Sequence, residues 1–227
     1  MTKDEIMEYP IRRYEGPVHV IRSKEKLTSA VQQLKKETIL GFDTETKPAY
    51  QKGRHHPPAL LQLAGENDVF VFQLKHLRLP KSLLEILANP NIIKAGVSLD
   101  YDISELIKLA RFEPAGFVDL GKLAKEIGMK NHGLRGLSAV VLGFRIPKTA
   151  RKSNWAKDTL TPAQIKYAAT DAWIGRELYK KIQQEGSEMK SSAWSSLKVV
   201  NLYKPQASGS KLQVTSYRLQ AASFKRK

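Results

Sequence analysis

Apolar and polar residues alternate through VHVIRS (18–23), the period of a half-buried strand, and the apolar positions then recur at Leu27, Ala30, Val31 and Leu34, the period of a helix over KEKLTSAVQQLKKE (24–37). ILGFDTET (39–46) follows as a second strand: Ile39, Leu40 and Phe42 read as core, and the end turns acidic at Asp43 and Glu45. ALLQLAG (59–65) and VFVFQL (69–74) are strand-like runs around the turn-forming GEND, which predicts a hairpin. PKSLLEILAN (80–89) reads as a helix with Pro80 in its first turn and Asn89-Pro90 as its stop. NIIKAGVS (91–98) reads as a buried strand and YDISELIKLARF (101–112) as a helix.

The second half is mostly helical, with VDLGKLAKEIG (118–128), GLRGLSAVVLG (133–143) and a long segment from Thr161 to about Glu185. Thr161-Pro162 with Gln164 forms a capping box with proline at the first helical position. Before it lies a basic loop, FRIPKTARKSNWAKDTL (144–160), which contains Trp155. The order of elements predicts an α/β fold, a mixed central sheet flanked by helices, in which the early hairpin is antiparallel and the 91–98 strand a parallel return. A polar N-terminal arm (1–17) precedes the domain (18–187). Beyond it the composition shifts to Ser, Lys and small polar residues, and 188–227 is expected to be a flexible basic extension in which LKVVNLY and KLQVTSYRL could pair as strands.

Charge changes the picture. The chain has 38 Lys and Arg against 22 Asp and Glu, a formal +16. Residues 188–227 hold eight Lys or Arg and a single acid, a net +7, which leaves +9 on the body. A basic body is the footprint of a polyanion binder, with plain solubility as the alternative. Cysteine is absent, so disulfides and thiolate metal sites are excluded and any metal must be held by oxygen or imidazole. No segment reaches the roughly 20 apolar residues of a membrane span, and the N-terminus lacks the apolar centre of a secretory signal. The expected setting is intracellular, cytoplasmic or nucleoid-associated, or nuclear in a eukaryote.

Within this basic body the acids of ILGFDTET stand out. Asp43 and Glu45 are two apart and leave one face of the strand together, where two buried like charges repel. Asp102 sits where the 91–98 strand gives way to a helix, and capping that helix is its simplest alternative role. In YAATD, Tyr167 and Asp171 share one helix face among Ala168, Ala169 and Ala172, small enough for another element to come close; a buried Tyr with an exposed Asp is the alternative. A site for two hard divalent cations accounts for all four acids, since Mg²⁺ takes carboxylate oxygens and two such ions serve phosphodiester hydrolysis. Tyr167, with an unperturbed pKa near 10, is a poor base at neutral pH and better suited to orienting the attacking water.

Asp43-x-Glu45, Asp102 after the AGVS strand, and Tyr167-x-x-x-Asp171 resemble the three exonuclease motifs of the DnaQ-like, or DEDD, 3'-5' exonucleases. Lys166 stands where one subtype has a histidine five residues before the last Asp, so the chain is similar to the Tyr subtype, the group of ribonuclease D and the Werner-type exonucleases. The resemblance spans roughly residues 18 to 185 and includes IIKAGVSLDYD, KSNWAKDTLTPAQIKYAATDAW and the basic stretch IPKTARKSNW. It implies a ribonuclease H-like fold, two Mg²⁺ or Mn²⁺ ions held by Asp43, Glu45, Asp102 and Asp171, Tyr167 orienting the nucleophilic water, and release of nucleoside 5'-monophosphates from a 3' end. One departure is Ser98, where proofreading members often have Asn and Werner-type members do not; it bears on substrate handling.

A 3' terminus gripped without regard to sequence needs cations for the backbone and an apolar group to stack or wedge. The candidates are Thr44, Thr46, Leu61 and Gln62 near the acidic strand, and Lys148, Arg151, Lys152 and Trp155 in the basic loop, with Trp155 as a core residue the alternative. His55 and His56, beside two prolines, read as a surface segment rather than ligands. The expected partner is a single-stranded or recessed 3' end, DNA before RNA. A ribonuclease D-like RNA-trimming enzyme and a catalytically weak nucleic-acid-binding module are the competing functions.

Overall fold

A computed structural model describes residues 1–188 apart from 52, 54, 148 and 151; the candidates Lys148 and Arg151, and the 189–227 part of the basic extension with its two strand-like runs, lie outside the described residues. In chain order the elements are α1 (Lys3–Glu8), β1 (Val18–Ile21), α2 (Lys24–Leu34), β2 (Ile39–Thr46), β3 (Pro58–Ala64), β4 (Val69–Gln73), α3 (Leu74–Leu77), α4 (Lys81–Leu87), β5 (Ile93–Gly96), α5 (Leu99–Leu109), β6 (Phe117–Asp119), α6 (Leu120–Glu126), α7 (Leu134–Leu142) and α8 (Pro162–Glu188). No helix of the described residues is long and apolar enough to cross a membrane.

The six strands form one mixed sheet in the order β1-β4-β3-β2-β5-β6. β3 pairs antiparallel with both β4 and β2, while β2 and β5 run parallel, as the expected hairpin and return require. Even residues of β2, Leu40 and Phe42, pack with Leu27, Leu34, Leu83, Ile86 and Leu106 from α2, α4 and α5 on one face. The other face is covered by α8. Its Ala168, Ala169 and Ala172 meet Leu60, Ala64 and Val71 of the sheet, and further along Ile174 and Leu178 meet α6 and α7. The reciprocal capping box of α8 is present: the Gln164 amide donates to Thr161 Oγ1 (3.2 Å) and the Thr161 amide to Gln164 Oε1 (3.0 Å).

α8 comes unusually close to the sheet because glycine faces it. A Cβ on Gly41 of β2 would lie 1.9 Å from the Ala172 carbonyl oxygen, and one on Gly175 would lie 2.4 Å from the Ala95 carbonyl oxygen. Backbone therefore meets backbone at this crossing, which any side chain would force apart.

Several local features depart from the sequence expectations. Pro80 is the N-cap of α4 rather than a first-turn residue. The 118–128 segment opens with the three-residue strand β6, too short to show a period, and α3 takes over the end of the expected 69–74 strand. The N-terminal arm carries α1 with a Thr2–Glu5 capping box, and its Tyr14 is buried. β5 contains a fully buried lysine, Lys94. Its Nζ donates to the carbonyls of Asn89 and Ile92, both at 2.7 Å, beyond the last turn of α4. Burial lowers its pKa to about 7.

Candidate active site

β2 pairs with β5 only over Ile39–Gly41, and from Phe42 on it continues beside β3 alone. Its carboxyl end thus has one open edge. α/β sheets commonly place their sites at the carboxyl ends of such strands. Odd residues of β2 face α8, so Gly41, Asp43 and Glu45 line one row, and the Gly41–Ala172 contact brings the neighbouring Asp171 against them. Carboxylate oxygens of Asp43, Glu45 and Asp171 lie within 4.8 Å of one another. Asp171 is buried, not exposed, whereas Tyr167 is only half-buried.

Asp102 reaches the same strand from the other side. Ser98 ends the β5 turn in a left-handed conformation (φ 64°, ψ 45°), a region that asparagine and glycine adopt more readily than serine. That gives a backbone reason for asparagine at this position in other proteins. The first turn of α5 is held by Asp119, whose carboxylate accepts the amides of Ser98 and Leu99 (both 3.0 Å) and those of Gly121 and Lys122 (2.9 and 3.2 Å). Capping therefore falls to Asp119, and Asp102 lies inside the helix, free for other work. It accepts the Thr44 hydroxyl at 2.6 Å. Asp102 stands outside the tight trio, yet near enough to add to the charge felt by Asp43.

The electrostatics follow from this crowding. Asp43 keeps some contact with solvent, but the protein packed around it, and then Glu45, Asp171 and Asp102, push its pKa well up. The backbone amide of Thr44 opposes this. Asp102 is raised to about 6 by burial, against the Thr44 hydrogen bond. Tyr167 is raised as well, first by burial and then by the charge of Asp171, to which its hydroxyl is hydrogen-bonded. It is therefore a neutral phenol and a donor. Three clustered carboxylates, whose charges raise the pKa of Asp43, are the donor set that a hard divalent ion takes, so the residues fit one.

The substrate candidates divide. Thr44 is buried with its hydroxyl on Asp102, Thr46 is half-buried at a register shift next to Glu45, and Lys152 is exposed. Leu61, Gln62 and Trp155 are 0% exposed. Leu61 belongs to the core under α2 and α4. Trp155 packs under α8 with its ring 5.8 Å from that of Tyr167. Gln62, opposite Asp43 in register, has neither side-chain polar atom hydrogen-bonded. His55 is exposed, and His56 lines a 410 Å³ cleft near the start of β3 with Lys47, Lys75 and Arg78. Asp119 is the site residue that sequence reading missed; its signal, an Asp just before a helix in FVDLGKL, was present but read as part of the helix.

A family model described as 3'-5' exonuclease matches residues 18–187. The bifunctional 3'-5' exonuclease/ATP-dependent helicase WRN of Mus musculus is 34% identical over 154 residues, 65% of this chain and 11% of that protein. DNA polymerase I of Aquifex aeolicus is 27% identical over 169 residues, 74% of this chain and 28% of that protein. The crystal structure of the Aedes aegypti Nibbler EXO domain superposes with a TM-score of 0.72 at 23% identity, covering 85% of this chain and 99% of that one. The fold is thus ribonuclease H-like, as the motifs implied. The chain spans only 11% to 40% of the length of the first three curated relatives it matches. With a match that runs unbroken from β1 into the last turn of α8, the chain belongs to the 3'-5' exonuclease family.

Proposed function

We propose that this domain removes nucleotides one at a time from the 3' end of a DNA strand by hydrolysis, as a Tyr-subtype exonuclease that releases nucleoside 5'-monophosphates. The observation that carries the reading is the trio Asp43, Glu45 and Asp171 with its carboxylate oxygens within 4.8 Å, adjoined by the neutral Tyr167. Two divalent ions, Mg²⁺ or Mn²⁺, would be held by the trio together with Asp102; they would supply Lewis acidity to the attacking and leaving oxygens of the phosphodiester.

The chain's own groups do the rest. Asp171 holds the Tyr167 proton, so the phenol oxygen keeps lone pairs with which to accept a hydrogen from an attacking water. Tyr167 thereby orients the nucleophile without taking part as a base. Thr44 steadies Asp102 and leaves its second carboxylate oxygen for an ion. Trp155, buried under Tyr167, fixes the phenol ring from behind. DNA as the substrate rests on the similarity to DNA polymerase I, and the basic body suits the backbone phosphates of a strand of any sequence.

The test is gel analysis of 5'-labelled DNA and RNA strands, single and recessed, with Mg²⁺ or Mn²⁺. A descending ladder on DNA supports the reading, and a ladder on RNA alone replaces the substrate. Asp171→Asn, with its fold verified by circular dichroism, should cut the rate by roughly a hundredfold or more. A wild-type protein that binds strands but leaves them intact in both metals would make the chain a binding module instead.

A further inference from the structure

The arm that precedes the matched domain is not loose. Arg145 receives it through three bonds: its Nε donates to the Tyr9 carbonyl (2.9 Å), its amide to the Pro10 carbonyl (2.9 Å), and its carbonyl accepts the Arg12 amide (2.9 Å). Two residues on, the Tyr14 amide donates to Thr170 Oγ1 (3.1 Å), the Tyr14 hydroxyl donates to the Asn67 carbonyl (2.7 Å), and the ring packs 5.9 Å from Trp173. Glu15 pairs with Lys166. Arg12 lies over the Phe144 ring (5.3 Å). The arm from Tyr9 to Glu15 is therefore held on loop 144–146, on the β3–β4 turn at Asn67 and on α8, where Thr170 stands one residue before Asp171.

Arg13 lies between two of these anchors, exposed and with no ion-pair partner among the described residues. It lines a cavity of 260 Å³ whose wall is formed by Tyr167 and Asp171, with Lys166, Thr149 and Pro147 around it. The cavity thus has a permanent cation at one side and the proposed catalytic pair at the other. Lys166 is engaged by Glu15, whereas Arg13 is, among the described residues lining the cavity, the cation outside any ion pair. A guanidinium offers up to five N–H donors in a planar fork that matches phosphate oxygens. Arg13, Thr149, Lys166 and Thr170 give the space polar groups suited to a phosphate and its sugar beside the Tyr167 ring.

We infer that the N-terminal arm supplies Arg13 as a substrate-binding residue, which holds a phosphodiester of the nucleic-acid strand beside Tyr167 and Asp171. The inference rests on the exonuclease reading for its choice of ligand and adds to it a contact from outside residues 18–187. Tyr14 and Arg145 serve it as positioning residues.

The test uses the full chain in EDTA, so that binding is read without hydrolysis, with a 5'-fluorescent single-stranded DNA followed by anisotropy at several salt concentrations. Arg13→Ala should weaken binding by about three- to tenfold and make the slope of log K against log salt shallower by about 0.7, the share of one phosphate on a single strand. Arg13→Lys should recover most of the affinity. Lys36→Ala, a charge removed beyond α2 at the opposite end of β2, should change neither. In digestion with Mg²⁺ or Mn²⁺ the Arg13→Ala loss should fall on KM rather than kcat. Binding and slope equal to wild type in Arg13→Ala overturn the inference while leaving the exonuclease reading intact. Wild-type binding without digestion, with the Arg13→Ala slope still reduced, does the reverse.

Discussion

Asp43→Asn should make the cation-free protein more stable and, at the same time, unresponsive to divalent ions. Carboxylate oxygens of Asp43, Glu45 and Asp171 lie within 4.8 Å of one another. Two full charges at about that separation repel by about 3.5 kcal/mol at an effective dielectric of ~20. Protonation sets a ceiling on what the fold can lose in this way. At pH 7 an aspartate with an unfolded pKa of about 3.9 takes up a proton at a cost of about 4 kcal/mol, and no arrangement of neighbours can cost more than that escape. The amide keeps the shape and an acceptor for the Thr44 backbone while shedding the charge. The expected gain is about 1–4 kcal/mol, or roughly 3–12 °C in Tm for a domain of this size. The assay is thermal melting by circular dichroism, first in EDTA and then across a Mg²⁺ or Mn²⁺ titration. Wild type should gain about 2.7 kcal/mol at a hundredfold excess over Kd, and the variant little. A variant that melts below wild type in EDTA, or that gains as much from the cation, refutes the reasoning. The pH dependence has a definite sign. Asp102 is raised to about 6, so between pH 4 and 6 the folded state holds the proton that the unfolded state has released, and this group makes cation-free stability fall as pH rises through that window. Cation binding has the opposite slope, strengthening as the same group deprotonates.

Two more predictions concern the scaffold. Gly41→Ala should cost about 3 kcal/mol or more in urea unfolding and abolish digestion, because the new methyl meets the Ala172 carbonyl and shifts Asp171 away from Asp43; wild-type stability would contradict the close crossing. Asp119→Ala should lose about 2–3 kcal/mol by leaving four backbone amides of α5 and α6 without their acceptor, with a reduced rate through Asp102 and partial recovery in Asp119→Asn; an unchanged denaturation midpoint would show that water replaces the carboxylate.

The parts of this site that could be read from the sequence are those written in local periods. The acidic end of β2 shows as an interrupted apolar run, the start of α8 as a capping box, and its approach to the sheet as alanines around Asp171. Leu61 and Gln62 follow from nearness to the acidic strand, and burial on both faces of the sheet erases the alternation that would have marked their strand as buried along its whole length. Trp155 looked like part of an exposed basic loop because the residues around it are polar, while the hydrophobic wall it meets comes from β3 and α8. The cap that Asp119 gives its own helix is written in FVDLGKL, but its hold on the Ser98 and Leu99 amides about 20 residues away, and the place of Arg13 on a cavity wall formed about 150 residues away, leave no mark in a short window.

The four acids come from β2, α5 and α8, and α8 packs on the strands β1 to β5. Until that helix docks, the cluster lacks the oxygens of Asp171, and docking is the step at which Asp171 must approach Asp43 and Glu45. Docking of α8 therefore adds the charge of Asp171 to the repulsion already present between Asp43 and Glu45, as a cost of covering this face of the sheet. Cations in the refolding buffer should then favour the docking of α8 rather than the pairing of the strands.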